Sequence, residues 1–200
     1  MLLVEDTIVP AAALPLSAFR EHLRMGTGFA DDSLQDGLLE RHLRAALAAI
    51  EARTGKILIA RSFALTLSDW RDPAAQPFPV APIDIVTSVT LIDRTGQETI
   101  VDDAAYTVRH DAQRPLLIPT GACLPMIPHK GRVRIGFIAG YGPAWSDMPA
   151  DLAQAVFLLA GHFYEFRHSA EGRGVDMPRD VAALLAPHRR LRLTLGGRTS

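Results

Sequence analysis

The sequence predicts an α+β fold, a small helical bundle with an inserted proline-punctuated antiparallel β module and an extended C-terminal tail. Apolar residues recur at spacings of three and four toward both ends of the chain, over residues 17–54 and 149–168. Between these stretches the spacing falls to two, in short segments parted by prolines. Helical and extended segments do not alternate, so no parallel crossover unit is expected.

Ser17 is the expected N-cap of a first short helix, which carries Phe19 and Leu23 and stops near Gly26. MGTGFADD follows as a loop. Asp31, Asp32 or Ser33 then caps a longer helix striped with Leu34, Leu38, Leu39, Leu43, Ala46 and Ile50. Thr54-Gly55 ends it, because glycine takes the left-handed position after a helix without a Cβ clash. In RSFALTLSDW, Phe63, Leu65 and Leu67 alternate with Ala64, Thr66 and Ser68, the period of a strand with one buried face. IDIVTSVTLID is rich in β-branched residues, and DRTGQ turns it into a second strand, ETIV. Residues 106–109 and 116–118 are shorter strands. GRVRIGFIAGYG is a longer one, with Val133, Ile135 and Phe137 on one face. Prolines at 73, 77, 79, 82, 115, 119, 125 and 128 punctuate the module.

Pro149 is expected in the first turn of a helix striped with Leu152, Val156, Leu159, Phe163 and Phe166. This helix and the one over 33–54 should pack together and hold the main core. Pro178 opens a short helix with Val181, Leu184 and Leu185, closed by Pro187. Residues 1–200 thus read as one domain. Its helices lie at about 17–55 and 149–187, its β insertion at about 57–142 and its tail at 188–200.

Composition narrows the function. A formal net charge of −1 provides no global field to recruit nucleic acid or an anionic membrane. Only Lys56 and Lys130 are lysines; every other cation is arginine, which suits interfaces because its guanidinium makes bidentate and stacked contacts. Cys123 stands alone, which excludes an internal disulfide and a cysteine-based zinc site. MLLVEDTIVP contains Glu5 and Asp6 and lacks a basic n-region, so no signal peptide is expected. No apolar run approaches the roughly 20 residues that span a bilayer. The expectation is a soluble protein, made in a reducing cytoplasm, with no membrane partner.

No complete catalytic constellation is legible. G-x-S-x-G is absent, and so is H-E-x-x-H. The G-x-G of MGTGF has no preceding strand to make it a phosphate loop. GHFYEFRHS, residues 161–169, sets His162 and Glu165 three apart on one helix face, as in half of a carboxylate-bridged metal site. The second Glu-x-x-His that such a site needs is missing. The segment reads instead as the end of a packing helix, with Phe163 and Phe166 buried and Glu165 and Arg167 outward. No catalytic residue, metal or cofactor is assigned.

The tail PHRRLRLTLGGR is the one local excess of positive charge. It suits a small DNA-binding or regulatory protein, although it lacks aromatic residues for stacking on bases. Its arginine–leucine alternation also suits adding a strand to another protein's sheet edge, and that reading is preferred. Gly196-Gly197 and the polar end supply little to bury, so order is expected only on docking.

Five motifs in this order resemble a known family. They are E-A-R-T-G-K (51–56), FPVAPIDIVTSVTLIDRTG (78–96), RVRIGFIAGYG (132–142), MPADLAQAVFLLAGHFYEFRHS (148–169) and MPRDVAALLAPHR (177–189). The chain resembles the head–tail connector (adaptor) proteins of long-tailed phages and gene transfer agents, in the subfamily with a β insertion. His188 stands where that family often has tyrosine, and Phe166 where a polar residue is common. The resemblance implies a structural connector domain and no catalysis. It implies a dodecameric ring beneath the portal protein of a capsid, bridging to stopper and tail proteins, with DNA passing through the channel. The particle would be a virion or a gene transfer agent, with the protein at its head–tail neck. By the same resemblance Tyr164, Glu165 and Arg167 are inter-subunit contacts. Arg189, Arg190, Leu191, Arg192, Leu193 and Leu195 engage the portal. Their pairing as a strand is inferred from the alternation.

Overall fold

The computed structural model describes residues 1–25, 32–166 and 177–189, with the backbone alone for 32–34. Among these the fold is α+β, with helices on one side and two antiparallel sheets on the other. β1 (Leu2–Glu5) precedes the helices and pairs with β2 (Arg61–Leu67), so the sheet is not purely an insertion. LLVE does not alternate apolar with polar residues, which is why the sequence did not reveal this strand.

α1 (Leu16–His22) starts earlier than Ser17, from Pro15, whose carbonyl accepts the Phe19 amide at 2.9 Å. Ser17 therefore lies inside the first turn rather than capping it. The helix also stops before Gly26, at a C-cap on Leu23, because Arg24 takes a left-handed φ of 54°. α2 (Asp32–Thr54) buries Leu39, Leu43, Ala46 and Ile50 as the stripe requires, and adds Leu47. Leu38 is only half-buried. Gly55 closes it at φ 67°, while Thr54 Oγ1 donates back to the Ile50 carbonyl at 2.8 Å.

The five-stranded sheet runs β1-β2-β8-β4-β5, with β4 (Ile83–Ile92), β5 (Glu98–Ile100) and β8 (Arg132–Ala139). Register sets Phe63 opposite Phe137, Leu65 opposite Ile135 and Leu67 opposite Val133, so one face becomes continuous apolar surface. A three-stranded sheet, β3-β7-β6, comprises β3 (Gln76–Pro77), β6 (Tyr106–Arg109) and β7 (Leu116–Pro119). Phe78, Tyr106 and Leu117 join the apolar face of the larger sheet in a shared core.

α3 (Ala150–Glu165) takes Pro149 as its N-cap, just outside the first turn, and packs on α2 as expected and on α4 (Arg179–Leu185) as well. Their core gathers Leu39, Leu43, Ile50, Leu152, Val156 and Leu159. It is not the only core of consequence, because the sheets have their own. The prolines do not break that second core. Pro77 sits on an edge strand, Pro119 ends one, and Pro82 and Pro115 stand just before strands begin. Consecutive residues divide between the layers, Ile57 facing the sheets and Leu58 and Ile59 the helices.

Candidate interaction surfaces

The helix–sheet junction is fastened by charge. Arg61 Nη2 donates to Glu51 Oε2 at 2.7 Å and to Glu5 Oε2 at 3.2 Å, tying β2 to α2 and to β1. Burial works to lower the guanidinium pKa, but the Glu51 and Glu5 carboxylates outweigh it and hold the value above its ordinary range. Lys56, also buried, donates Nζ to the Ala112 carbonyl and so anchors the β6–β7 loop to the end of α2.

The C-terminal end of α3 forms one wall of a groove of about 370 Å³, lined by His22, Leu23, His162, Glu165, Pro178 and Asp180 among others. Gly161 faces the end of α1 with room to spare: a Cβ there would stand 3.6 Å from Leu23 Cδ2, ordinary van der Waals contact. Glu165 is exposed on the groove rim, whereas Tyr164 is half-buried and meets His42 of α2 edge-on at 5.9 Å between ring centroids. Phe166 is not buried, contrary to the expectation from the stripe. It is 49% exposed, stacked obliquely on His162 just past the last helical residue. The stripe fails there because the core ends one turn earlier. Arg167 lies outside the described residues. Among the described residues no group of three His, Cys, Asp or Glu side chains is placed to hold a metal ion.

At the root of the tail, His188 Nε2 donates to Asp151 Oδ2 at 2.6 Å, clamping the turn after α4 to the first turn of α3. Burial alone would raise the Asp151 pKa. The His188 ring and the Leu152 amide reverse that and hold the carboxyl below its usual range. Arg189 is exposed and is the last residue described. Arg190, Leu191, Arg192, Leu193 and Leu195 lie outside the described residues.

The three-stranded sheet carries a surface that sequence reading missed. At one end, Arg71, Arg109 and Arg114 line a cleft of about 480 Å³ together with Asp72 and Asp111. Both carboxylates are occupied by turns: Asp111 Oδ1 accepts the Arg114 and Gln113 amides at 2.6 and 2.7 Å, and Asp72 Oδ1 the Ala74 amide at 2.9 Å. Those amides hold the Asp111 carboxyl below its usual range. At the other end of β6 stand the exposed Asp102 and Asp103. Asp103 Oδ1 accepts the Tyr106 hydroxyl at 2.6 Å, which with burial pushes the phenol pKa up. These residues are scattered between 71 and 114, so only strand pairing brings the cations together.

Neither a protein-family model nor a curated protein matches the chain. Solved structures do. A chain of the neck of an empty gene transfer agent (GTA) particle, computed with C6 symmetry, matches at 51% identity and TM-score 0.89. Each chain is covered over 100% of its length. The chain belongs to the family of gene transfer agent neck proteins. A chain in the virion of a native GTA particle matches at 51% identity and TM-score 0.86, with 100% of each covered. A further neck-family chain, from a native particle computed with C12 symmetry, matches at 47% identity and TM-score 0.84, again over 100% of each.

Proposed function

We propose that this chain is the head–tail connector, or adaptor, of a gene transfer agent particle. It works in the virion neck as a structural component, seated as a ring under the portal and joined below to stopper and tail proteins. DNA passes through the ring, and the protein acts by binding rather than by catalysis. The observation that carries this reading is 51% identity over the full length of a chain from a GTA particle neck. The related necks were computed with C6 and C12 symmetry, and a ring of twelve copies obeys both. In this reading Arg189, Arg190, Leu191, Arg192, Leu193 and Leu195 add a strand to the portal, with leucines in pockets and arginines on carboxylates. The His188–Asp151 clamp supports it by giving that segment a fixed point of departure. Tyr164, Glu165 and Arg167 serve contacts between subunits.

Ordering so short a segment costs on the order of 1–2 kcal/mol per residue in backbone entropy, so its side chains must dock together. Removing residues 189–200 tests the assignment. The truncated subunit should remain folded yet fail to attach to portal-bearing capsids. Tailed particles at normal yield would move the portal anchor elsewhere, to the groove around Glu165.

A further inference from the structure

The arginine cleft holds three arginines against two aspartates, and no arginine in it is bonded to either acid. Arg71, Arg109 and Arg114 are exposed, and none makes a side-chain hydrogen bond or ion pair among the described residues. One oxygen of each carboxylate in the cleft accepts backbone amides, and the nearby Arg109 charge also helps to hold Asp111 ionised, so the three arginines outnumber the cleft's own acids by one. The walls are held in place: Lys56 bonds the Ala112 carbonyl inside the loop that carries Arg109 and Arg114, and β3 pairs with β7 at Leu116 and Leu117. Guanidinium groups rooted on walls held in this way favour carboxylate or phosphate partners.

The same small sheet has its own acidic end, where Asp102 Oδ1 accepts the Ala104 amide at 2.9 Å and Asp103 Oδ1 the Tyr106 hydroxyl at 2.6 Å, while no arginine or lysine pairs with either among the described residues. Tyr106 pairs with Pro119 and Arg109 with Leu116, so Asp102 and Asp103 lie before one end of β6 while the cleft opens at the other. At about 3.4 Å per residue, the two ends stand roughly 10–15 Å apart. The module thus carries a small positive excess at one end, three arginines against two aspartates, and two aspartates at the other. A closed ring joins one patch of each subunit to a different patch of the next, and opposite charge is one way to make such patches complementary.

Resting on the ring reading above, we propose that the arginine cleft receives the Asp102–Asp103 turn of the neighbouring copy of this chain. Charge complementarity selects that occupant over the DNA of the channel. A phosphate track would have no use for acids at the far end of the same sheet. The contact sets the order and direction of subunits around the ring, since cleft-to-cleft and turn-to-turn approaches bring like charges together.

The test is a charge swap in a producer strain lacking the chain, complemented by full-length variants. Arg109→Glu/Arg114→Glu makes both ends acidic, and Asp102→Lys/Asp103→Lys makes both ends basic. Each alone should yield at least about tenfold fewer necked particles, the cost of like charges at every ring contact. Supplied together they should restore necks, with alternating subunits, as should one chain carrying all four substitutions. If the lysine variant melts early because Tyr106 loses its acceptor, the single pair Asp102→Lys and Arg114→Glu replaces it. Normal necks from the glutamate variant alone would overturn the proposal, as would failure of the mixture when both proteins melt like the wild type. Necks that form normally from the glutamate variant but leak DNA would assign the arginines to nucleic acid instead. Absence of the wild-type chain from complemented necks would instead defeat the adaptor reading itself.

Discussion

Gly140 shows how a motif readable only as a pattern acquires a physical cause. The Ala-Gly-Tyr ending of the last strand was visible in the sequence, but not why it must contain glycine. Gly140 takes φ 137°, and a Cβ there would stand 2.4 Å from Ala60 Cα, where the chain crosses itself entering β2. The adjoining Gly142 carbonyl accepts the Ala60 amide at 2.8 Å, so the crossing cannot widen without losing that bond. Gly161 is the opposite case, a helical glycine at ordinary φ with room for a methyl. Chemical denaturation should therefore separate them. Gly140→Ala should lose at least about 2 kcal/mol through strain and overlap, and Gly161→Ala should gain about 0.5–1 kcal/mol of helix propensity. Equal effects would contradict the crossing. The sequence could not distinguish the two, because backbone approach at residue 140 is set by β2, some 80 positions earlier.

Elements were legible where their periodicity was long. α2, α3, β2 and β8 follow from spacing alone, since each repeats its pattern over several turns or pairs. β1 and β3 were not legible, because LLVE does not alternate as YTVR of β6 does and two residues cannot display a period. The α2–α3 packing carries a direct test: Leu159, 2% exposed, should cost roughly 2–5 kcal/mol on truncation to alanine, measured by urea unfolding. A loss below about 0.5 kcal/mol would place it on the surface. The joint between α3 and the turn after α4 should respond to acid. Asp151 has its pKa lowered from 3.8, so its contribution is present above that value and lost as pH falls through the lower folded one. Asp151→Asn should abolish that acid-limb dependence in urea melts taken between about pH 2 and pH 6. An unchanged pH profile would mean that the clamp to His188 carries no stability.

At the scale of the molecule, interfaces were less legible than folds. An interface residue is marked by what it lacks inside its own subunit, and that is known only after strands have paired. The arginine–leucine tail showed itself because its alternation is local. The arginine cleft did not, since its residues come from two segments more than 30 positions apart. The segment GHFYEFRHS lies between the two cases: Tyr164 turns inward onto His42, while Glu165 and Phe166 face outward. A subunit of this kind acquires its function from its neighbours, and the assembled particle is where the account must hold. Imaging the neck of particles built with this chain, without imposed symmetry, tests it most directly. The account predicts twelve copies of this fold in one ring between portal and tail. A complete neck without the chain, or the chain located elsewhere in the particle, would contradict it.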